Sequence, residues 1–201
     1  MQLLLNALAN IYLIRRAKNI AVTIDHSVTV LIPLRNEIEN LNHLIDSLRF
    51  QRGIREIHFY VIDDNSTDGT KELAQQLIKD DARFTLISSR PLPHDWLGKP
   101  FALQQGFLKT KADVIVTIDA DVRLQPYAIA QSVSLLYTLR FDFLSCYPKQ
   151  IAITASERII QPLLQWSWIA TVPLRILASW RSQRCFGGKS WLYWNSASRR
   201  T

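Results

Sequence analysis

Val114-Ile115-Val116-Thr117-Ile118-Asp119-Ala120-Asp121 is a run of five apolar or β-branched residues followed by two carboxylates one residue apart. The apolar half reads as a strand buried on both faces, the kind a parallel sheet contains. The acidic half falls where that strand ends. Two earlier stretches repeat the arrangement. Val28–Pro33 leads into Arg35-Asn36-Glu37, and Ile57–Ile62 leads into Asp63-Asp64 and a polar run to Thr70. Phe84–Ser88 reads as another strand, and Phe143–Tyr147 as a further one. Helical periodicity fills the gaps. Leu41, Leu44, Ile45 and Leu48 mark a helix over Glu37–Phe50, and Leu73, Leu77 and Ile78 one over Thr67–Lys79. Pro100–Leu108 and Pro126–Leu139 complete the set. Strands alternating with helices predict an α/β domain with a mostly parallel sheet and helices on both faces. Ligands of such sheets bind at the carboxyl ends of the strands, where the polar clusters lie.

The chain has 201 residues and a formal net charge of +7, enough length to bury a core without disulfide or metal staples. Residues 1–157 hold 17 Lys+Arg and all 17 Asp+Glu, whereas residues 158–201 hold seven basic residues and no acid. The excess charge therefore belongs to the tail, which disfavours a basic nucleic-acid-binding domain. Cys146 and Cys185 form no CxxC or Cys/His cluster, which excludes a zinc ribbon or disulfide framework. Residues 1–27 are expected to form an apolar helix with Arg15, Arg16 and Lys18 behind it. That helix is either a membrane anchor or an amphipathic helix packed on the domain. Residues 28–150 are expected to form the ligand-binding domain, and residues 151–201 an apolar, Trp-rich, basic segment.

Each polar cluster has an ordinary structural reading. Pro33-Leu34-Arg35-Asn36-Glu37 closes a strand and starts a helix. In Asp63-Asp64-Asn65-Ser66-Thr67-Asp68-Gly69-Thr70, Ser66 or Thr67 can cap the next helix, and Asp68 suits its positive end. Capping does not explain two adjacent aspartates at a strand terminus, a pairing that suits a cation or a polar ligand. Asp119 and Asp121 can share a divalent ion, and hard oxygen donors suit Mg²⁺ or Mn²⁺. In Trp96-Leu97-Gly98-Lys99-Pro100, a lysine beside glycine before a helix start can contact a phosphate. GxxxxGK[ST] and GxGxxG are both absent. A phosphatase of the aspartate-nucleophile type is disfavoured because Arg123 stands where Thr or Val is wanted.

Together, PLRNE after the first strand, DDNSTDGT after the second, WLGKPFALQQG before a helix and TIDADVRLQP at the fourth strand resemble the inverting family 2 glycosyltransferases of GT-A fold. The resemblance spans Val28–Pro126. The WLGKP segment is most similar to membrane-associated members that glycosylate lipids. The resemblance implies a hexosyltransferase-type enzyme and assigns roles. Pro33 and Glu37 line the nucleotide pocket, Asp64 contacts the base with Asp63 supporting it, and Lys99 lies near the diphosphate. Asp119 and Asp121 form the DxD pair, touching ribose and metal. The implied cofactor is Mn²⁺ or Mg²⁺. The implied partners are a nucleotide-sugar donor, a lipid or glycan acceptor and a membrane surface, at the cytoplasmic face of the cell membrane.

The pattern fails on the acceptor side. The family takes its general base from an Asp or Glu beyond the DxD, yet no carboxylate follows Glu157. That residue reads as first-turn helix charge behind Thr154 and Ser156. Gln161-Pro162-Leu163-Leu164-Gln165-Trp166 lacks the arginine of a QxxRW motif. Pro162 and Pro173 are expected to limit any straight helix over Ile159–Trp180. No strand or helix is expected in Arg181–Thr201. The tail is read as the product of a frameshift or premature stop, with the acceptor half truncated. The competing expectation is a non-catalytic remnant that binds nucleotide sugar or serves as a scaffold.

Overall fold

The computed structural model of the protein describes residues 2–13, 20–146, 154–171 and 190–194. Expectations for Arg15, Arg16, Lys18, Tyr147, Pro173 and Cys185 lie outside these residues. The described residues fall into two compact units, residues 2–13 with 154–171, and residues 20–146 with 190–194.

The larger unit contains β1 (Val28–Leu34), α2 (Ile38–Arg49), β2 (Ile57–Asp63), α3 (Thr70–Ile78), β3 (Phe84–Ser88), α4 (Gly98–Lys109), β4 (Val114–Ile118), α5 (Ala128–Thr138), β5 (Phe143–Cys146) and β6 (Ser190–Trp194). The smaller contains α1 (Gln2–Leu13) and α6 (Ala155–Thr171). The sheet order is β3-β2-β1-β4-β6-β5, and every pairing is parallel. Leu34 lies opposite Asp63, and Asp63 opposite Ser88. The carboxyl ends of β1, β2 and β3 are thus level along one edge. Successive strands run outward from β1 to β2 and β3, then jump back across it to β4. The crevice at that reversal is where α/β sheets place ligands.

Apolar side chains divide between the two faces of the sheet. Val30, Ile32, Leu34, Phe59, Val61, Val116 and Ile118 meet Leu41, Leu44, Ile45 and Leu48 of α2, Ala74 of α3, and Ile129, Val133 and Leu136 of α5. Leu31, Ile62, Ile87 and Ile115 meet Ala102, Leu103 and Phe107 of α4 on the other face. The four residues read as the inner face of α2 are all fully buried. Gly106 lets α4 lie close to the sheet, since a Cβ there would stand 2.6 Å from Ile62 Cδ1.

Three local readings are corrected. α3 starts at Thr70, three residues late, because Gly69 adopts φ 90° and serves as the N-cap in place of Ser66 or Thr67. α4 starts at Gly98, so Lys99 belongs to its first turn and Pro100 is accommodated inside that turn, where a proline costs no hydrogen bond. Ser190–Trp194, expected to be structureless, forms β6 and pairs with β4 on one side and β5 on the other. A strand flanked on both sides carries no period-2 signal, and five residues are too few to show a period. This part of the tail therefore belongs to the sheet.

In the smaller unit, α1 and α6 pack together, with Asn6 Nδ2 donating to the Ala170 carbonyl at 2.8 Å and Ala7, Asn10 and Ala170 buried. Thr154 and Glu157 form a capping box at the start of α6. The Glu157 N–H donates to Thr154 Oγ1 at 3.3 Å, and the Thr154 N–H donates to Glu157 Oε2 at 3.1 Å. The helix then continues through Pro162.

Candidate active site at the carboxyl edge of the sheet

The loops after β1 and β2 are tied to each other. Asn36 and Asn65 both take the left-handed conformation, φ 55°, which asparagine tolerates better than most residues. The Asn36 side-chain oxygen accepts from the Thr67 N–H at 2.9 Å, and the Asn36 N–H donates to Ser66 Oγ at 3.1 Å. Glu37 N–H donates to Thr70 Oγ1 at 2.9 Å. Asp68 serves two helices at once. One carboxylate oxygen accepts from the Thr70 N–H at 3.0 Å and its hydroxyl at 2.5 Å, and the other accepts from the Ile38 N–H at 3.3 Å. Burial pushes the Asp68 carboxyl upward, but the bonds from Thr70 and Ile38 outweigh it and hold the group below its ordinary value. Glu37 is the N-cap of α2 without a side-chain capping bond, so Asp68 supplies from another loop what the α2 start lacks.

With Ser66, Thr67, Asp68 and Thr70 assigned to this clamp, the adjacent aspartates stand apart. Asp63 and Asp64 are both buried. Asp63 Oδ1 accepts from the Ser66 N–H at 3.3 Å and so orients the turn. The Asp64 carboxylate lies 3.7 Å from the Arg35 guanidinium. Gly98 borders the same carboxylate, because a Cβ there would stand 2.5 Å from Asp64 Oδ2 and 3.5 Å from Arg35. The start of α4 is thereby held against the end of β2.

Lys99, the next residue, reaches the end of β4. Its Nζ lies 2.5 Å from Asp119 Oδ1, with the lysine side chain 46% exposed and that of Asp119 14%. The DxD turn closes with the Val122 N–H donating to the Asp119 carbonyl at 3.2 Å. Arg123 braces it, its guanidinium donating to the Ala120 and Val122 carbonyls at 3.0 and 2.9 Å and to Asn40 Oδ1 at 2.9 Å. Asn40 in turn donates to Glu37 Oε2 at 2.9 Å. A chain of contacts therefore runs from Glu37 through Asn40 and Arg123 to the DxD loop. Pro33 sits on β1 opposite Ile62, one residue before the carboxyl end of that strand. Asp121 is partly exposed.

Asp64 and Lys99 thus gather around α4, Asp119 joins through Lys99, and Glu37 joins through Arg123. Arg35, Asn40, Gly98 and Arg123 were missed as site residues. Arg35 and Gly98 stand inside quoted motifs that adjoin a strand end and a helix start, and that placement is the signal that could have found them. Asn40 and Arg123 are 83 positions apart, and no local pattern announces their contact. Among the described residues no group of three or more His, Cys, Asp or Glu could hold a metal alone. Two carboxylates on one loop nonetheless fit Mg²⁺ or Mn²⁺, ions that take their remaining ligands from water and substrate phosphate.

The glycosyl transferase family 2 model matches residues 29–195, a span that includes β6. A 4,4'-diaponeurosporenoate glycosyltransferase of Staphylococcus haemolyticus is 35% identical over 98 residues, 49% of this chain and 25% of that protein. A dolichol-phosphate mannosyltransferase of Pyrococcus furiosus is 31% identical over 111 residues, 54% of this chain and 30% of that one. An undecaprenyl-phosphate 4-deoxy-4-formamido-L-arabinose transferase of Pseudomonas fluorescens is 29% identical over 115 residues, 54% and 32% of the two chains. The chain thus spans a quarter to a third of these relatives' lengths. Among solved structures, a mannosyltransferase from Pyrobaculum calidifontis in complex with GDP-Man and Mn²⁺ superposes with TM-score 0.54 at 24% identity, covering 67% of this chain and 40% of that one. The M. tuberculosis glucosyl-3-phosphoglycerate synthase gives 0.52 at 19% identity, covering 88% and 73%.

Proposed function

This chain belongs to glycosyl transferase family 2 and has the GT-A fold, and from that premise we propose that it transfers a sugar from a nucleoside-diphosphate donor to an anionic oxygen of a polyisoprenoid-type lipid, inverting the anomeric carbon. The observation that carries the reading is the meeting of Asp64, Gly98, Lys99 and Asp119 at the strand reversal. Asp64 accepts hydrogen bonds from the base, with Pro33 and Glu37 beside it and Asp63 fixing the turn. The N-terminal turn of α4 and Lys99 face the diphosphate, an arrangement that favours anions. Asp119 and Asp121 would hold Mn²⁺ or Mg²⁺, which when bound offsets charge on the leaving nucleoside diphosphate.

The acceptor class rests on the relatives' names and on proton chemistry. A hydroxyl nucleophile needs a base to remove its proton. A phosphate or carboxylate oxygen is already ionised and needs none. The names of the relatives, a carotenoid acid and two polyisoprenyl phosphates, support such an acceptor. An acceptor of this kind places the enzyme at a membrane surface, on the cytoplasmic face where a nucleotide sugar is at hand. A test would incubate the chain and Mn²⁺ with UDP- and GDP-hexoses, offering a polyisoprenyl phosphate or the corresponding alcohol in vesicles. Transfer to the phosphate and none to the alcohol is expected. Transfer to the alcohol alone would contradict the acceptor assignment, and donor binding without any transfer would favour the non-catalytic reading.

A further inference from the structure

Lys99 stands in a place that its own helix does not favour. It lies in the first turn of α4, where the macrodipole disfavours a cation, and that turn has no acidic residue and no side-chain cap. Its ammonium donates to Asp119 Oδ1 at 2.5 Å. That oxygen belongs to the carboxylate pair a divalent ion needs. The aspartate is the mostly buried partner and the lysine the half-exposed one.

We propose that Lys99 and the divalent ion compete for Asp119, and that the donor's diphosphate resolves the competition by drawing Lys99 onto itself. This rests on the donor-site reading above and adds a coupling to it. The ion alone must displace an ammonium and so binds weakly. A nucleoside diphosphate offers that ammonium a new anionic partner at the start of α4 and frees Asp119 for the ion. Metal and nucleotide then bind with positive cooperativity, each raising the other's affinity by the same factor. No bond is made or broken in the exchange.

The test is a Mn²⁺ titration of the full chain followed by the EPR signal of the free ion, with and without UDP or GDP. Lys99→Met is expected to bind Mn²⁺ alone roughly tenfold more tightly, the scale of one charge-assisted contact removed. The enhancement that the nucleotide confers should fall by about the same factor, the remainder coming from the ion's own attraction to the diphosphate. Lys99→Arg should keep both properties, and circular dichroism should show the same fold in all three. Equal or weaker Mn²⁺ binding by Lys99→Met, or an undiminished nucleotide enhancement in it, would overturn the proposal. Failure of the donor site itself would look different, as an absence of nucleotide binding to the unmodified chain at every Mn²⁺ concentration. The ion-only comparison would still decide whether Lys99 competes for Asp119.

Discussion

Asp68 joins two helices that are separated by a strand, and its carboxylate works as a structural acceptor at both N-termini. Replacing it with Asn removes the charge that both helix ends favour and should cost about 1 kcal/mol of stability, measured by urea unfolding. Asp68 shares a trend with Asp81, lowered mainly by its bond from Arg83, and Asp113, lowered mainly by its bond from Ser27. Carboxyls depressed in the folded state stabilise it fully above their unfolded pKa and lose that effect as pH falls through the folded value. The melting temperature should therefore drop as pH is lowered below about 4, with a shallower decline in Asp68→Asn. At this scale the sequence was readable where chemistry is local. Two adjacent acids after a strand, and two acids around Ala120, stood out as more than capping. The ties from Asn36 to Thr67 and from Arg123 to Asn40 were not readable, because each joins loops distant in sequence.

The inner face of α2 follows from 3.6-residue spacing alone, and all four of its predicted residues are buried. The start of α4 was misplaced because proline was taken as the first helical residue, whereas Gly98 and Lys99 precede it in the same turn. That two-residue shift matters, because it sets Gly98 on Asp64. Gly98→Ala would place a methyl group 2.5 Å from Asp64 Oδ2, against a carboxylate with little room to move. It is expected to weaken nucleoside diphosphate binding by about tenfold, the effect of roughly 1.4 kcal/mol. Stability should change by under about 1 kcal/mol, since alanine is the better helix former. Calorimetric binding and thermal melts distinguish this outcome from general unfolding. β6 escaped notice for the opposite reason: a short apolar strand carries no period of its own, and its pairing partners β4 and β5 lie far back in the chain.

The excess positive charge of the whole chain lies in residues 158–201. In the smaller unit, α1 leaves Leu3, Leu4, Leu5, Leu8, Ile11 and Tyr12 exposed, and α6 leaves Ile159, Ile160, Leu163 and Trp166 exposed. Among the described residues no helix is long and apolar enough to cross a membrane. Exposed apolar area on a helix pair with basic flanks suits attachment to an anionic lipid surface. The chain should sediment with phosphatidylglycerol vesicles and far less with neutral ones. Leu8→Glu with Leu163→Glu should release it while leaving nucleotide binding unchanged. Equal sedimentation of the double variant would remove the helix pair as the attachment surface.

We propose a metal-assisted nucleotide-sugar site at the carboxyl edge of the sheet, and isothermal titration of the full chain and of Asp121→Asn with UDP and GDP, with and without Mn²⁺, decides the matter. Saturable binding of at least one nucleotide is expected, dependent on Mn²⁺ and lost in Asp121→Asn. No binding of either nucleotide, or an Mn²⁺-dependent affinity unchanged in Asp121→Asn, would refute such a site.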